Sequence, residues 1–174
     1  MKYLSIVLIA VMTQLTAHSA KGAINKDKVS VAESRKTEHY VSKGVYVGGD
    51  WAVDTITIKD IRYAKNAKFE RVVIDLENTI DNKKTALDRP PYYHVGISPN
   101  YKRAVISILG KTQLSFDPKK VIASFKKSDL ISRVDLLPKI ETDRWAFVLQ
   151  CRKECKTEVF ELSQPSRIIL DFKK

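Results

Sequence analysis

The chain has 174 residues, 44% of them hydrophobic, and Lys+Arg 31 against Asp+Glu 20 gives a formal charge of +11. That composition excludes disorder as the default state and suits one globular domain with a sizeable core. The basic excess favours anionic partners such as lipid headgroups, acidic glycans, nucleic acid or a peptidoglycan mesh with free carboxylates. With no run of five or more like charges, scattered lysines serving solubility alone are the competing explanation.

The chain opens with Met1-Lys2-Tyr3 and an apolar run from Leu4 to Met12. That run is too short to cross a hydrocarbon core of roughly 30 Å as a helix. It fades into Ala17-His18-Ser19-Ala20, where Ala17 and Ser19 are the small residues a signal peptidase accepts. Residues 1–19 are therefore read as a signal peptide cut after Ser19, with an uncleaved anchor as the alternative. The mature chain is expected to be periplasmic or secreted, with no stable membrane insertion, in an oxidising compartment without ATP. Residues 20–44 are polar and lack a period, and read as a flexible basic leader.

The ordered domain is expected over 45–174. Val45-Tyr46-Val47 and Trp51-Ala52-Val53 flank the turn signal Gly48-Gly49-Asp50. Residues 55–63 alternate, with Ile56, Ile58 and, after a slip, Ile61 as apolar positions. Residues 69–76 are dense in β-branched side chains. Two strands, 92–97 and 103–109, join through Ser98-Pro99-Asn100-Tyr101, where Pro99 presets a turn. Asp117-Pro118 announces a short helix, with Asp117 as cap and Val121, Ile122 and Phe125 on one face. Lysines 119, 120, 126 and 127 occupy the other. Residues 130–137 lean to strand, and 145–150, 157–162 and 167–172 follow as strands. About eight strands and one short helix predict a mainly β fold, a β-sandwich of two antiparallel sheets.

Cys151 and Cys155 are the only cysteines, flanking an expected hairpin turn, and in an oxidising compartment they are expected to pair as a disulfide. Zinc would need two further ligands, and the mature chain offers only His39 and His94, isolated from each other, so no metal or cofactor is expected.

Two segments share one pattern: Arg71-Val72-Val73-Ile74-Asp75-Leu76 and Arg167-Ile168-Ile169-Leu170-Asp171-Phe172. Strand alternation puts Val72, Ile74 and Leu76 on one face, and likewise Ile168, Leu170 and Phe172. Arg71 and Asp75 lie roughly 13 Å apart along a strand and cannot pair with each other. If the segments run antiparallel side by side, Arg71 meets Asp171 and Asp75 meets Arg167, whereas a parallel pairing sets like charges opposite. The alternative is two unrelated strands that each end at a polar residue.

Asp60-Ile61-Arg62 with residues 69–76, and Pro165-Ser166 with 167–172, resemble the opening and the closing strand of the amidase N-terminal (AMIN) domain and its AMIN-like relatives. The similarity spans about residues 52–174, and the helix and the cysteine segment have no counterpart in it. The resemblance implies a two-sheet sandwich that binds the cell wall, often targeting an attached amidase or a secretin pore. No such segment follows Phe172, so a targeting module standing alone is expected.

No nucleophile elbow, metal-ligand helix or phosphate-cradling loop is present, so no catalytic residue is named and no enzyme is expected. Export and the absence of a basic aromatic signature argue against nucleic acid. A non-catalytic module binding peptidoglycan or another anionic envelope polymer fits better. Its candidate contacts are Tyr92, Tyr93, Tyr101, Lys102, Arg103, Arg144 and Trp145, rings for stacking on sugars and cations for carboxylates or phosphates. The alternative is a scaffold docking to an envelope protein machine, secretin-like or amidase-associated, through an edge strand.

Overall fold

The computed structural model describes residues 29–50, 55–80, 83–85, 87–137 and 143–174. The expected signal peptide, the start of the expected leader and the segment Trp51-Ala52-Val53 lie outside the described residues. In chain order the elements are β1 (Val29–Val31), β2 (Gly44–Gly48), β3 (Thr55–Lys65), β4 (Glu70–Ile80), β5 (Lys83–Thr85), β6 (Tyr93–Ser98), β7 (Arg103–Leu109) and β8 (Lys111–Leu114). Then come α1 (Pro118–Ser124) with a 3₁₀ turn (Phe125–Lys127), β9 (Ile131–Leu136), β10 (Arg144–Cys151), β11 (Lys156–Leu162) and β12 (Arg167–Lys173).

The strands form two sheets. One is ordered β1-β2-β6-β7-β10-β9; the other is β11-β12-β4-β3-β8, with β5 on β4. Each holds six described strands, or five when the three-residue β1 and β5 are set aside, which exceeds the expected eight in all. The sheets are also mixed rather than wholly antiparallel, because β1 runs parallel to β2 and β8 parallel to β3. Both additions escape hydrophobic patterning: Lys111-Thr112-Gln113-Leu114 is a mostly exposed edge strand without alternation, and β1 belongs to the leader.

The inner faces of the two sheets share one hydrophobic core. Ile58, Val72, Ile74, Ile168, Leu170 and Phe172 of the second sheet are fully buried, as are Tyr93, Val95, Ile106, Phe147 and Leu149 of the first. Side chains of this size contribute about 1.5–3 kcal/mol each on burial, so this layer is the main source of stability. The slip in the β3 pattern is a bulge between Ile58 and Asp60, which returns Ile61 to the core side. α1 starts as its sequence signals: the Asp117 carboxylate accepts from the amides of Lys119 (2.9 Å) and Lys120 (3.4 Å), and Pro118 takes the first turn. Val121 and Phe125 are buried, but Ile122 is 43% exposed and does not join their face. At the Gly48-Gly49-Asp50 turn, Gly49 has φ +84°, and a side chain there would meet the Pro91 carbonyl oxygen at 2.0 Å.

The leader is not a free tail over its described part. Ala32 donates to the Val47 carbonyl (2.8 Å), the Glu161 amide to Glu33 (2.7 Å), and Val41 and Thr157 exchange two bonds at 2.9 and 2.8 Å. Residues 32–41 thus form a strap covering the edge of β11, an edge that would otherwise present unpaired backbone groups.

Candidate anion-binding surfaces

β12 runs antiparallel to β4, with Arg71 opposite Asp171 and Asp75 opposite Arg167. Asp171 is fully buried on the outer face, beneath the strap. Arg71 grips it with two bonds, Nε to Oδ1 at 2.6 Å and Nη2 to Oδ2 at 2.8 Å, and Lys36 of the strap donates a further bond. Lys36 also reaches Glu158 at 3.1 Å and lies 4.2 Å from the Phe69 ring centre. Glu158 in turn accepts from the amides of Thr37 (2.7 Å) and Glu38 (2.6 Å), which fixes the strap. One strand over, Asp75 takes Arg62 (2.8 Å) and Arg167 (3.2 Å). These carboxylates already hold internal partners, so this face is a structural lock.

The seven candidate contact residues do not converge. Tyr93 and Trp145 are both paired with Ile108 across the inner face and are 0% and 2% exposed, so they are core residues and not ligand contacts. Alternation decides this once the register is known. Tyr101, Lys102 and Arg103 lie together at the β6–β7 turn, where Tyr101 is 66% exposed with the Arg103 guanidinium 4.8 Å from its ring centre. Tyr92 and Arg144 sit at the opposite end of these strands, Arg144 being aligned with Leu109. The two ends are separated by about 20 Å, six residues of extended chain. His94, half-buried near Arg144, has its imidazole pKa lowered by burial and then by the Arg144 charge.

A different cationic cluster is assembled by the fold. The β3–β4 turn, the end of β12 and the start of β9 enclose a cleft of about 430 Å³ rimmed by Lys65, Lys68, Lys173 and Lys174, with Phe69 in its wall. The turn is held by the Asn66 side chain, which accepts from the amides of Lys68 (2.8 Å) and Phe69 (2.9 Å). Buried Glu70 turns inward, accepting from the Ser128 hydroxyl and from the Asp129 amide at 2.8 Å, and so fixes Asp129 at the rim. Asp129 forms an ion pair with Lys65, whose hydrogen bond and then its charge, with smaller help from Lys174 and Arg152, hold the carboxyl below the usual range. Lys65 is paired with Asp129, the Lys173 ammonium lies over the Tyr40 ring at 3.9 Å from its centre, and Lys68 and Lys174 complete a cationic rim suited to carboxylates or phosphates of a ligand.

The expected disulfide is absent: Cys151 and Cys155 are both buried free thiols. They do not flank a hairpin turn, because β10 belongs to the first sheet and β11 to the second and residues 152–155 cross between them, yet the two thiols lie within hydrogen-bond reach of each other. The Cys151 amide bonds to Lys102 (2.6 Å), and the Cys155 thiol donates to the Lys153 carbonyl at 3.3 Å. A hydrogen bond with Cys155, then burial, pushes the Cys151 thiol pKa up. No protein-family model and no curated protein sequence matches this chain.

Proposed function

We propose that this chain is an exported, non-catalytic module, built as a β-sandwich, that binds an anionic polymer of the cell envelope, peptidoglycan first among them. The observation that carries the reading is the lysine cleft, whose rim holds four lysines and one exposed carboxylate, that of Asp129 paired with Lys65. The overall charge of +11 supports it by drawing the protein towards an anionic mesh before contact. The segments that resemble AMIN domains, 60–62 with 69–76 and 165–172, belong to β3, β4 and β12, the strands whose ends form this cleft. Lysine ammonium groups bind as point charges without demanding one geometry, which suits a heterogeneous polymer. Tyr101 and Arg103 offer a separate stacking contact at the far end of the first sheet.

Co-sedimentation of the exported chain with purified wall sacculi tests the reading. Binding at low salt that weakens as salt rises supports it, because exposed charges are screened over about 8–10 Å near physiological ionic strength. Absence of binding at low salt contradicts it. Release of soluble wall fragments during the incubation contradicts its non-catalytic part.

A further inference from the structure

The strap and the lysine cleft meet at Lys173. Its ammonium, a rim cation of the cleft, lies over the ring of Tyr40 in the strap, 3.9 Å from the ring centre. The Tyr40 hydroxyl accepts from Lys36 at 2.6 Å, and Lys36 is the lysine that reaches Asp171 and Glu158. The next residue, Val41, exchanges two backbone bonds with Thr157 of β11. Tyr40 is thus anchored by the strap on one side and holds a cation of the cleft on the other. An ammonium over an aromatic face is attracted by the ring's negative centre, which restricts where a long lysine side chain can point.

That hold acts against a repulsion. β11 runs antiparallel to β12 with Lys156 directly opposite Lys173. Opposite residues project from the same face of a sheet, and like charges there disfavour each other. Lys156 is exposed, and no carboxylate pairs with it among the described residues. An anion placed between the two ammonium groups would relieve the repulsion and gain two partners. The pair also extends the cleft sideways. β12 lies between β4 and β11, so the start of β4, where Lys65 and Lys68 stand, is two strand spacings from Lys156, roughly 10 Å. A single small anion cannot touch both sides, whereas a chain that repeats its charges can.

We infer that the lysine cleft continues across β12 to Lys156 and takes an extended polyanion with repeated charges, and that Tyr40 is the positioning residue that aims Lys173 into it. Anion binding and docking of the strap then reinforce each other, because the ligand meets a cation already held in place only while the strap is seated. This inference rests on the reading of the cleft as an anion-binding surface, and adds to it the span of the ligand and the part played by the strap.

The test titrates fluorescein-labelled hexaglutamate with the exported chain at low salt and follows anisotropy. Tyr40→Leu should weaken binding by about fivefold, and Tyr40→Phe, which keeps the ring, should stay within about twofold of the parent; neither alters net charge. Lys156→Gln should also cost about fivefold, while Lys126→Gln, the same charge change on α1, should stay within about twofold. Free glutamate at an equal concentration of carboxylates should not displace the peptide, and displacement would overturn the span. In the parent, saturating hexaglutamate should slow amide exchange at Val41 and Thr157, because coupling between two sites is reciprocal. A purely structural Tyr40 would speed that exchange in Tyr40→Leu yet leave peptide affinity unchanged, and this result would overturn the inference. The cleft itself is judged separately by Lys68→Glu with Lys174→Glu. Loss of binding there with none in Tyr40→Leu or Lys156→Gln overturns this inference and leaves the cleft standing, whereas no loss in the double variant, or no binding by the parent, overturns both.

Discussion

Two neighbouring regions of the second sheet handle charge in opposite ways. Beneath the strap, Asp171 is fully buried and held by Arg71 and Lys36, and Glu158 is held by Lys36 and two strap amides. At the end of the same strand, Lys173 and Lys174 join Lys65 and Lys68 around a cleft whose one exposed carboxylate, Asp129, is paired with Lys65. In the first region charge is matched inside the molecule, so changing a partner disturbs the fold. In the second cations outnumber exposed carboxylates and the one pair, Lys65 with Asp129, is exposed, so a charge can be altered with little effect on the fold and a direct effect on whatever binds there. The difference separates structural charge from charge available to a ligand.

The largest effect should follow from breaking the matched region. Arg71→Ala leaves the buried Asp171 carboxylate with Lys36 alone, and a loss of about 3–5 kcal/mol is expected from denaturant midpoints. Lys36→Ala removes one charged hydrogen bond to Asp171 and loosens the strap, with an expected loss of about 1.5–3 kcal/mol. Faster amide exchange at Val41 and Thr157 in that variant would place the loss in the strap.

pH gives a smaller effect. The His94 pKa is lowered in the fold by burial and by Arg144, so the folded state favours the neutral ring. Its contribution is complete above the unfolded value of about 6.5 and is lost as pH falls through the lower folded value. Stability should therefore decline on acidification below about pH 6.5, and His94→Gln should flatten that part of the profile. The smallest effect belongs to the unmatched region: Lys65→Ala breaks the exposed pair with Asp129, and no change in midpoint is expected. A loss comparable to that of Lys36→Ala would erase the distinction between the two regions.

Much of the fold is legible in particular residues. The repeated Arg-aliphatic-Asp segments mark β4 and β12 and their buried faces but leave open whether the two strands are neighbours; the structure pairs them antiparallel, which sets opposite charges against each other. The slip at Ile61 marks the bulge, and Asp117-Pro118 marks the start of α1. The strap is not legible, since it is polar and acts through backbone bonds and one lysine whose partner lies 135 residues away. The hairpin expected at the cysteines is not formed, because spacing does not reveal that β10 and β11 belong to different sheets. Paired tyrosines show that one ring turns inward without showing which. The lysine cleft joins residues 65–68 to 173–174, far apart in sequence. It becomes visible once Glu70 is aligned with Phe172, which brings the start of β4 to the end of β12.

The most direct test of the unmatched cleft is a comparison of two double variants with the same change in net charge. Lys68→Glu with Lys174→Glu alters the cleft, and Arg35→Glu with Lys43→Glu alters exposed positions of the leader. Affinity for purified sacculi at low salt is measured for both. The cleft variant should lose about tenfold or more, and the leader variant should stay within about twofold of the parent. Equal losses would show that overall charge alone drives binding, and would contradict the assignment of the lysine cleft as the working surface.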